Sequence, residues 1–134
     1  MGKYLSDLQN ELKTNFKADS EFKDNTLYVK IPKGYYYESA KFVKGKGFQR
    51  LLTVSVTDWI DDNEFEVYYI AYNADENIYI KVAVRIPRDN PEIETLADVW
   101  VNSEMHEREG WELFGINFKG NSMLKPLFLE MWDI

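Results

Sequence analysis

Apolar residues near the start of the chain recur at intervals of three and four. Tyr4, Leu5, Leu8, Leu12 and Phe16 share one side of such a pattern, which predicts an amphipathic helix over residues 4–17. Asp19, Ser20 and residues 23–25 are polar and predict a loop. From Thr26 the period drops to two. Leu27, Val29 and Ile31 take one face, Tyr28 and Lys30 the other, and Pro32 with Gly34 closes the strand. Residues 35–44 read as a short helix with Ala40 and Val43 inward, stopped by Gly45 and Gly47.

Three more strands follow. Leu52, Val54 and Val56 alternate with Thr53, Ser55 and Thr57; residues 65–72 are rich in aromatic and β-branched side chains; Ile78, Ile80, Val82, Val84 and Ile86 make the cleanest period-two run. The polar stretch 73–77 predicts an antiparallel hairpin between the last two. Such a sheet needs helices over its apolar face. The predicted fold class is therefore α+β: a single two-layer domain over residues 1–134. Its mixed or antiparallel sheet has about four to five strands, with helices packed on one face.

Pro87 and Pro91 bracket a loop, and Leu96, Val99 and Trp100 suggest a helical turn or two. Asn102 or Ser103 can cap a last helix, with Glu104 and Glu107 in the first turn, where the helix dipole favours carboxylates. That helix should end at Gly115.

Composition narrows the chemistry. There is no cysteine and one histidine, His106. Disulfides, thiolate-held iron–sulfur clusters and cysteine nucleophiles are excluded, and the Cys/His set of a structural zinc site cannot be assembled. No EF-hand loop is present. No apolar run reaches the roughly 18 residues of a membrane span, and the N-terminus lacks the apolar core of a signal peptide.

The net charge is −7 and unevenly spread. Residues 1–50 carry 10 basic and 6 acidic side chains, whereas residues 92–134 carry 3 and 9. The acidic part argues against a nucleic-acid surface and suits a basic protein partner; acidity that merely keeps the chain soluble accounts for it equally.

Several candidate sites dissolve on inspection. The glycines of Gly45-Lys46-Gly47 precede a strand, and the third glycine of a dinucleotide fingerprint would fall at Arg50. Glu107 and Glu112 could be imagined as an acid/base pair. Arg108 lies between them, four residues after Glu104 and four before Glu112. A salt-bridged, solvated helix explains all four residues, and an ionised partner keeps carboxylate pKa values low. His106 reads as a surface or interface residue. Tyr35-Tyr36-Tyr37 cannot all face inward, so the sequence leaves two readings open there, an exposed aromatic patch or core packing with a partly exposed edge.

Gly110 inside the charged helix costs about 1 kcal/mol against alanine, which predicts close approach by another backbone. Gly115 should adopt a left-handed conformation with Phe114, Ile116 and Phe118 folding back, and Gly120-Asn121 should make a second turn. The expected result is a rigid hook with carboxylates and Arg108 on one side and aromatics on the other, a combination suited to recognising a fixed partner.

These residues also carry a resemblance. Glu107-Arg108-Glu109-x-x-Glu112-x-x-Gly115-Ile116-x-Phe118-x-Gly120, with Leu124 beyond, resembles the signature of the C-subunit family of respiratory complex I, the NADH-quinone oxidoreductase. The strand running to Asp58-Trp59 and the next one, residues 65–69, resemble the family's strands, and the likeness extends over residues 27–127. It implies an α+β accessory subunit without a cofactor of its own. Such a subunit sits in the hydrophilic arm of complex I or of an energy-converting membrane-bound hydrogenase. It packs against the hydrogenase-like large subunit, beside an iron–sulfur subunit.

The resemblance further implies a place on the cytoplasmic side, peripheral to the membrane, with no nucleic acid involved and no catalysis by the chain alone. The implied interface and shaping residues are Glu107, Arg108, Glu109, Glu112, Gly115, Ile116, Phe118 and Gly120. Three departures stand out. Asn121-Ser122 replaces the family's His-Pro, Lys125-Pro126 replaces a pair of arginines, and Glu112 replaces an aspartate. They weaken the basic end of the motif and favour the hydrogenase branch over the quinone-reducing one. The competing expectations are a stand-alone hydrolase using Glu107 and Glu112, and a generic protein-interaction adaptor.

Overall fold

Residues 2–124 are described by the computed structural model, and the period-two runs of the sequence form its sheet. In chain order the elements are α1 (Gly2–Phe16), β1 (Asp19–Lys23), β2 (Thr26–Lys30), α2 (Tyr36–Gly45), β3 (Arg50–Trp59), β4 (Glu64–Asn73), β5 (Ile78–Pro87), β6 (Glu92–Glu94), α3 (Ser103–Phe114) and β7 (Asn117–Lys119). Five strands make one sheet in the order β1-β2-β5-β4-β3. The β2–β5 pair is parallel and the others antiparallel, so the sheet is mixed and the fold α+β, as predicted.

The sheet differs from expectation at its edge. Asp19, Ser20 and Lys23, expected in a loop, belong with Glu21 and Phe22 to strand β1. Four of its five residues are exposed, so no alternation of apolar residues marks it. What makes it a strand is pairing to β2 through a two-residue turn at Asp24 and Asn25. Both take positive φ, 51° and 65°, the backbone that tight hairpins require.

One face of the sheet is apolar. Leu27 and Val29 of β2 stand beside Ile80 and Val82 of β5, which stand beside Ala71 and Tyr69 of β4, and all six are essentially sealed from solvent. Burial of side chains of this size contributes roughly 1.5–3 kcal/mol each.

The three helices cover this face. Helix α1 lays Leu8, Leu12 and Phe16 on it, and Phe16 meets Phe42 of α2 edge-on at 5.5 Å. Helix α2 is tied down by Ser39, whose hydroxyl lies 2.9 Å from Tyr69 Oη. Of the two readings of the triple tyrosine, core packing with a partly exposed edge holds: Tyr36 is 1% exposed and packs edge-on to Tyr69 at 5.6 Å, while Tyr35 and Tyr37 are half-buried.

Where α1, α2 and the sheet meet, Asn73 donates to Tyr4 Oη at 2.9 Å and to the Lys46 carbonyl at 3.3 Å. Gly47 is obligatory there. Its φ is +110°, and a Cβ would sit 2.6 Å from Asn73 Nδ2.

Helix α3 runs alongside β3 in the same direction. Asn102 Nδ2 donates to the Leu51 carbonyl at 3.1 Å, Gly110 rests on Val56, and Phe114 stacks against Phe65, the partner of Asp58, at 5.5 Å. Asn102 occupies the N-cap position without making a side-chain capping bond; its amide is used to hold β3 instead.

Candidate functional site

The hook predicted around Gly115 is a closed unit, built by two short strands that no periodicity announced. Strand β6 precedes the turns at residues 95–102, and β7 follows α3; the two pair in parallel, Ile93 opposite Phe118. Val99 N–H and Trp100 N–H both donate to the Leu96 carbonyl at 2.9 Å, which is the helical turn expected there. Gly115, at φ +71°, ends α3 by donating its N–H to the Trp111 carbonyl at 2.9 Å. The chain then reverses so that Ile116 and Phe118 are buried, at 0% and 1% exposure. Gly120 has φ +91°, and a Cβ on it would lie 3.1 Å from Thr95 Cγ2.

Glu107 locks this unit. Its side chain is 0% exposed and no cation pairs with it among the described residues. Oε1 accepts from Thr95 Oγ1 at 2.6 Å and from Asn121 Nδ2 at 2.9 Å, and Oε2 accepts from Leu96 N–H at 2.8 Å. One carboxylate therefore joins the segment just after β6 to the turn just after β7. Burial pushes its pKa up, and the three donors pull it back only in part. The buried Ser103 hydroxyl, one turn earlier on α3, has no hydrogen bond of standard geometry, yet favours the charged carboxylate.

This overturns the picture of a uniformly solvated, salt-bridged helix. Glu107 points inward, away from Arg108. Arg108 pairs with Glu112 at 2.8 Å and not with Glu104, so the i, i+4 pair that forms is the one with arginine first. The guanidinium also donates to the Met123 carbonyl at 3.1 Å, and the pair's exposure limits its worth to about 1 kcal/mol or less. Glu109 and Glu112 project into solvent. Glu107 and Glu112 share no site, since one is sealed and the other exposed.

The neighbour that Gly110 accommodates consists of side chains and not of backbone as expected. A Cβ there would lie 3.2 Å from Val56 Cγ2 and 3.2 Å from Phe118 Cε2. Gly110→Ala adds helix preference of about 1 kcal/mol but overpacks this contact by about 1–3 kcal/mol. A net loss of about 1 kcal/mol in a denaturant titration is expected; a more stable variant would mean that Phe118 and Val56 yield freely.

The outer side of α3 mixes exposed apolar side chains with the carboxylates of Glu109 and Glu112. Met105 and Leu113 of α3 are 63% and 75% exposed, and Val101, in the turn before the helix, is 80% exposed. Ile60, in the turn after β3, is 69% exposed and Trp59 41%. His106 is half-buried.

Of the residues singled out in the sequence, Glu107, Gly115, Ile116, Phe118 and Gly120 come together in the closed unit. Arg108 straps it from outside, and Glu109 and Glu112 do not join it. Thr95, Leu96 and Asn121, which hold Glu107, escaped sequence reasoning. Asn121 is expected from the sequence as a turn residue and a departure from a motif, but its offset of fourteen residues from Glu107 follows no local periodicity. Residues 125–134, with Lys125-Pro126 and Trp132, lie outside the described part. Among the described residues no cluster of His, Asp or Glu is arranged to hold a metal ion, and no helix is long and apolar enough to cross a membrane.

The chain belongs to the family of the respiratory-chain NADH dehydrogenase 30 kDa subunit, which matches residues 29–133. Among its relatives, the C subunit of the F(420)H(2) dehydrogenase of Methanosarcina mazei is 39% identical over 93 residues, covering 69% of this chain and 59% of that protein. The C/D subunit of the NADH-quinone oxidoreductase of a Hydrogenobaculum species is 35% identical over 92% of this chain and 21% of its own length. The chain thus spans less than two thirds of the length of either relative.

Two solved structures share the fold at 24% identity. One is a trypsin-resistant fragment of Nqo5, with a TM-score of 0.79, covering 90% of this chain and 99% of that one. The other is a chain of the membrane-bound sulfane sulfur reductase, an archaeal respiratory membrane complex, with a TM-score of 0.81, covering 93% and 77%.

Proposed function

We propose that this chain is a cofactor-free accessory subunit in the hydrophilic arm of a complex I-like or energy-converting hydrogenase complex. It docks onto the hydrogenase-like large subunit, beside an iron–sulfur subunit. It supports electron transfer coupled to ion pumping without carrying electrons itself. Its place is the cytoplasmic side of the membrane, held there through the complex.

The observation that carries this reading is the exposed apolar set of Met105 and Leu113 on the outside of α3 and Val101 in the turn before it, beside a helix whose inside is bolted by Glu107. Exposed apolar side chains on a rigid element favour a fixed partner. Glu107 and Arg108 brace the corner; Gly115, Ile116, Phe118 and Gly120 shape it; Glu109 and Glu112 flank the apolar set and meet basic groups of the large subunit. The stand-alone hydrolase reading requires Glu107 to reach a substrate, which its burial disfavours.

Affinity isolation of the tagged chain from detergent-solubilised membranes tests the proposal. The expected outcome is stoichiometric recovery of a hydrogenase-like large subunit and an iron–sulfur subunit. Recovery of the chain alone, or turnover, flavin or metal in the isolated chain, would overturn it.

A further inference from the structure

The sheet has a second face, and none of the described helices covers it. Tyr28 of β2 stands opposite Lys81 of β5, and Lys30 opposite Ala83; Ala83 in turn stands opposite Tyr68 of β4. The Lys81 ammonium lies 4.3 Å from the centre of the Tyr68 ring, and Tyr72 and Tyr79 pack across the strands at 4.7 Å. The small Ala83 leaves a depression of about 270 Å³, with Lys30 and Arg85 among its lining residues.

Charge on this face is divided. At one end Arg85 is matched by Asp62, Glu64 and Glu66. Beside it Lys30, which lines the same depression as Arg85 and Glu66, and Lys81 have no ion-pair partner among the described residues. Lys23 and Arg50 lie on the same side, where Asp19, directly opposite Lys30, and Glu21 of β1 stand at the margin. A chain of net charge −7 thus gathers unmatched cations among tyrosines on the face the described helices leave open. Tyrosine is enriched at protein interfaces, and the unmatched lysines give the face a charge that an acidic partner complements.

We propose that this open face is a second docking surface, and that its occupant is an acidic segment of a neighbouring protein subunit. The segment's apolar side rests on the tyrosines, and one of its carboxylates meets Lys30 above Ala83. The inference rests on the assembly reading above but concerns the opposite side of the molecule from α3. A nucleic acid fits less well: Tyr72 and Tyr79 stack on each other, Lys81 caps Tyr68, and the carboxylates of Asp19 and Glu21 line the margin, where a phosphate backbone would be repelled.

A zero-length carbodiimide, which joins an ammonium to a carboxylate in direct contact, tests this in the affinity-isolated complex. Amides from Lys30 or Lys81 to an aspartate or glutamate of another subunit are expected. Both lysines should also acetylate several-fold more slowly in the complex than in the isolated chain, while the exposed Lys13 of α1 does not change. Equal acetylation in both states would overturn the inference. So would amides only to Glu130 or Asp133 of the same chain, or photo-cross-linking of a uridine oligomer to Tyr28.

The double variant Lys30→Glu, Lys81→Glu alters only side chains that reach solvent and keeps the fold. It should lower recovery of the partner by about tenfold through like-charge repulsion, and unchanged recovery would again overturn the idea. If the chain is found in no complex, the assembly reading fails as well; if the complex is intact and only these lysines stay open, this inference alone fails.

Discussion

Glu107→Leu is expected to destabilise the folded chain by about 3–5 kcal/mol, measured by urea unfolding of the purified protein. The substitution roughly conserves volume but deletes both acceptor oxygens. Thr95 Oγ1, Leu96 N–H and Asn121 Nδ2 then lose their partner, and each buried polar group left unmade costs roughly 1–3 kcal/mol. Removing a carboxylate that burial disfavours offsets part of the loss. Glu107→Gln keeps one acceptor oxygen and should fall between, at about 1–2 kcal/mol. A leucine variant as stable as the parent would show that the bolt contributes nothing.

Acid titration gives this residue a second signature. Burial raises the folded pKa of Glu107 above the ordinary 4.5, so the folded chain holds that proton more tightly than the unfolded chain. The stability this group contributes is then fully present below pH 4.5 and declines as pH rises toward its folded pKa. Relative to Glu107→Gln, the parent should therefore gain stability as pH is lowered through that window. The opposite slope would mean that the three donors outweigh burial and hold the pKa down.

Met105→Glu combined with Leu113→Glu is expected to abolish most partner binding while leaving the isolated chain folded. Both side chains are largely exposed, at 63% and 75%, and contribute little to the core. Buried in an interface, each would contribute about 2 kcal/mol; losing both corresponds to about a thousandfold in affinity, with a further loss from unpaired carboxylates in a desolvated contact. The readout is recovery of the large subunit with the tagged chain, beside an unchanged circular dichroism spectrum. Full recovery would move the docking surface away from α3.

Much of the fold was legible along the chain because its cause is local. Ile78, Ile80, Val82, Val84 and Ile86 alternate because one side of β5 lies under helices, and Leu8, Leu12 and Phe16 recur at helical spacing for the complementary reason. Gly115 was legible as a left-handed helix stop, since few other residues tolerate φ +71°. Strand β1 was not: an edge strand exposed on nearly every residue needs no apolar alternation, and its pairing is decided by β2. Strands β6 and β7 are three residues each, too short for any period to show.

The candidate site divides in the same way. Its signature residues, their family and the turn chemistry at Gly115 and Gly120 were determined by the sequence alone, because fixed offsets and glycine conformations are properties of neighbouring residues. Which carboxylate turns inward was not. Glu104, Glu107, Glu109 and Glu112 are chemically near-identical in a charged helix, and only the arrival of Thr95, Leu96 and Asn121 from distant segments makes one of them the buried acceptor. Burying a carboxylate is unfavourable unless donors converge on it, and convergence of donors from separate segments is a property that tertiary packing alone creates.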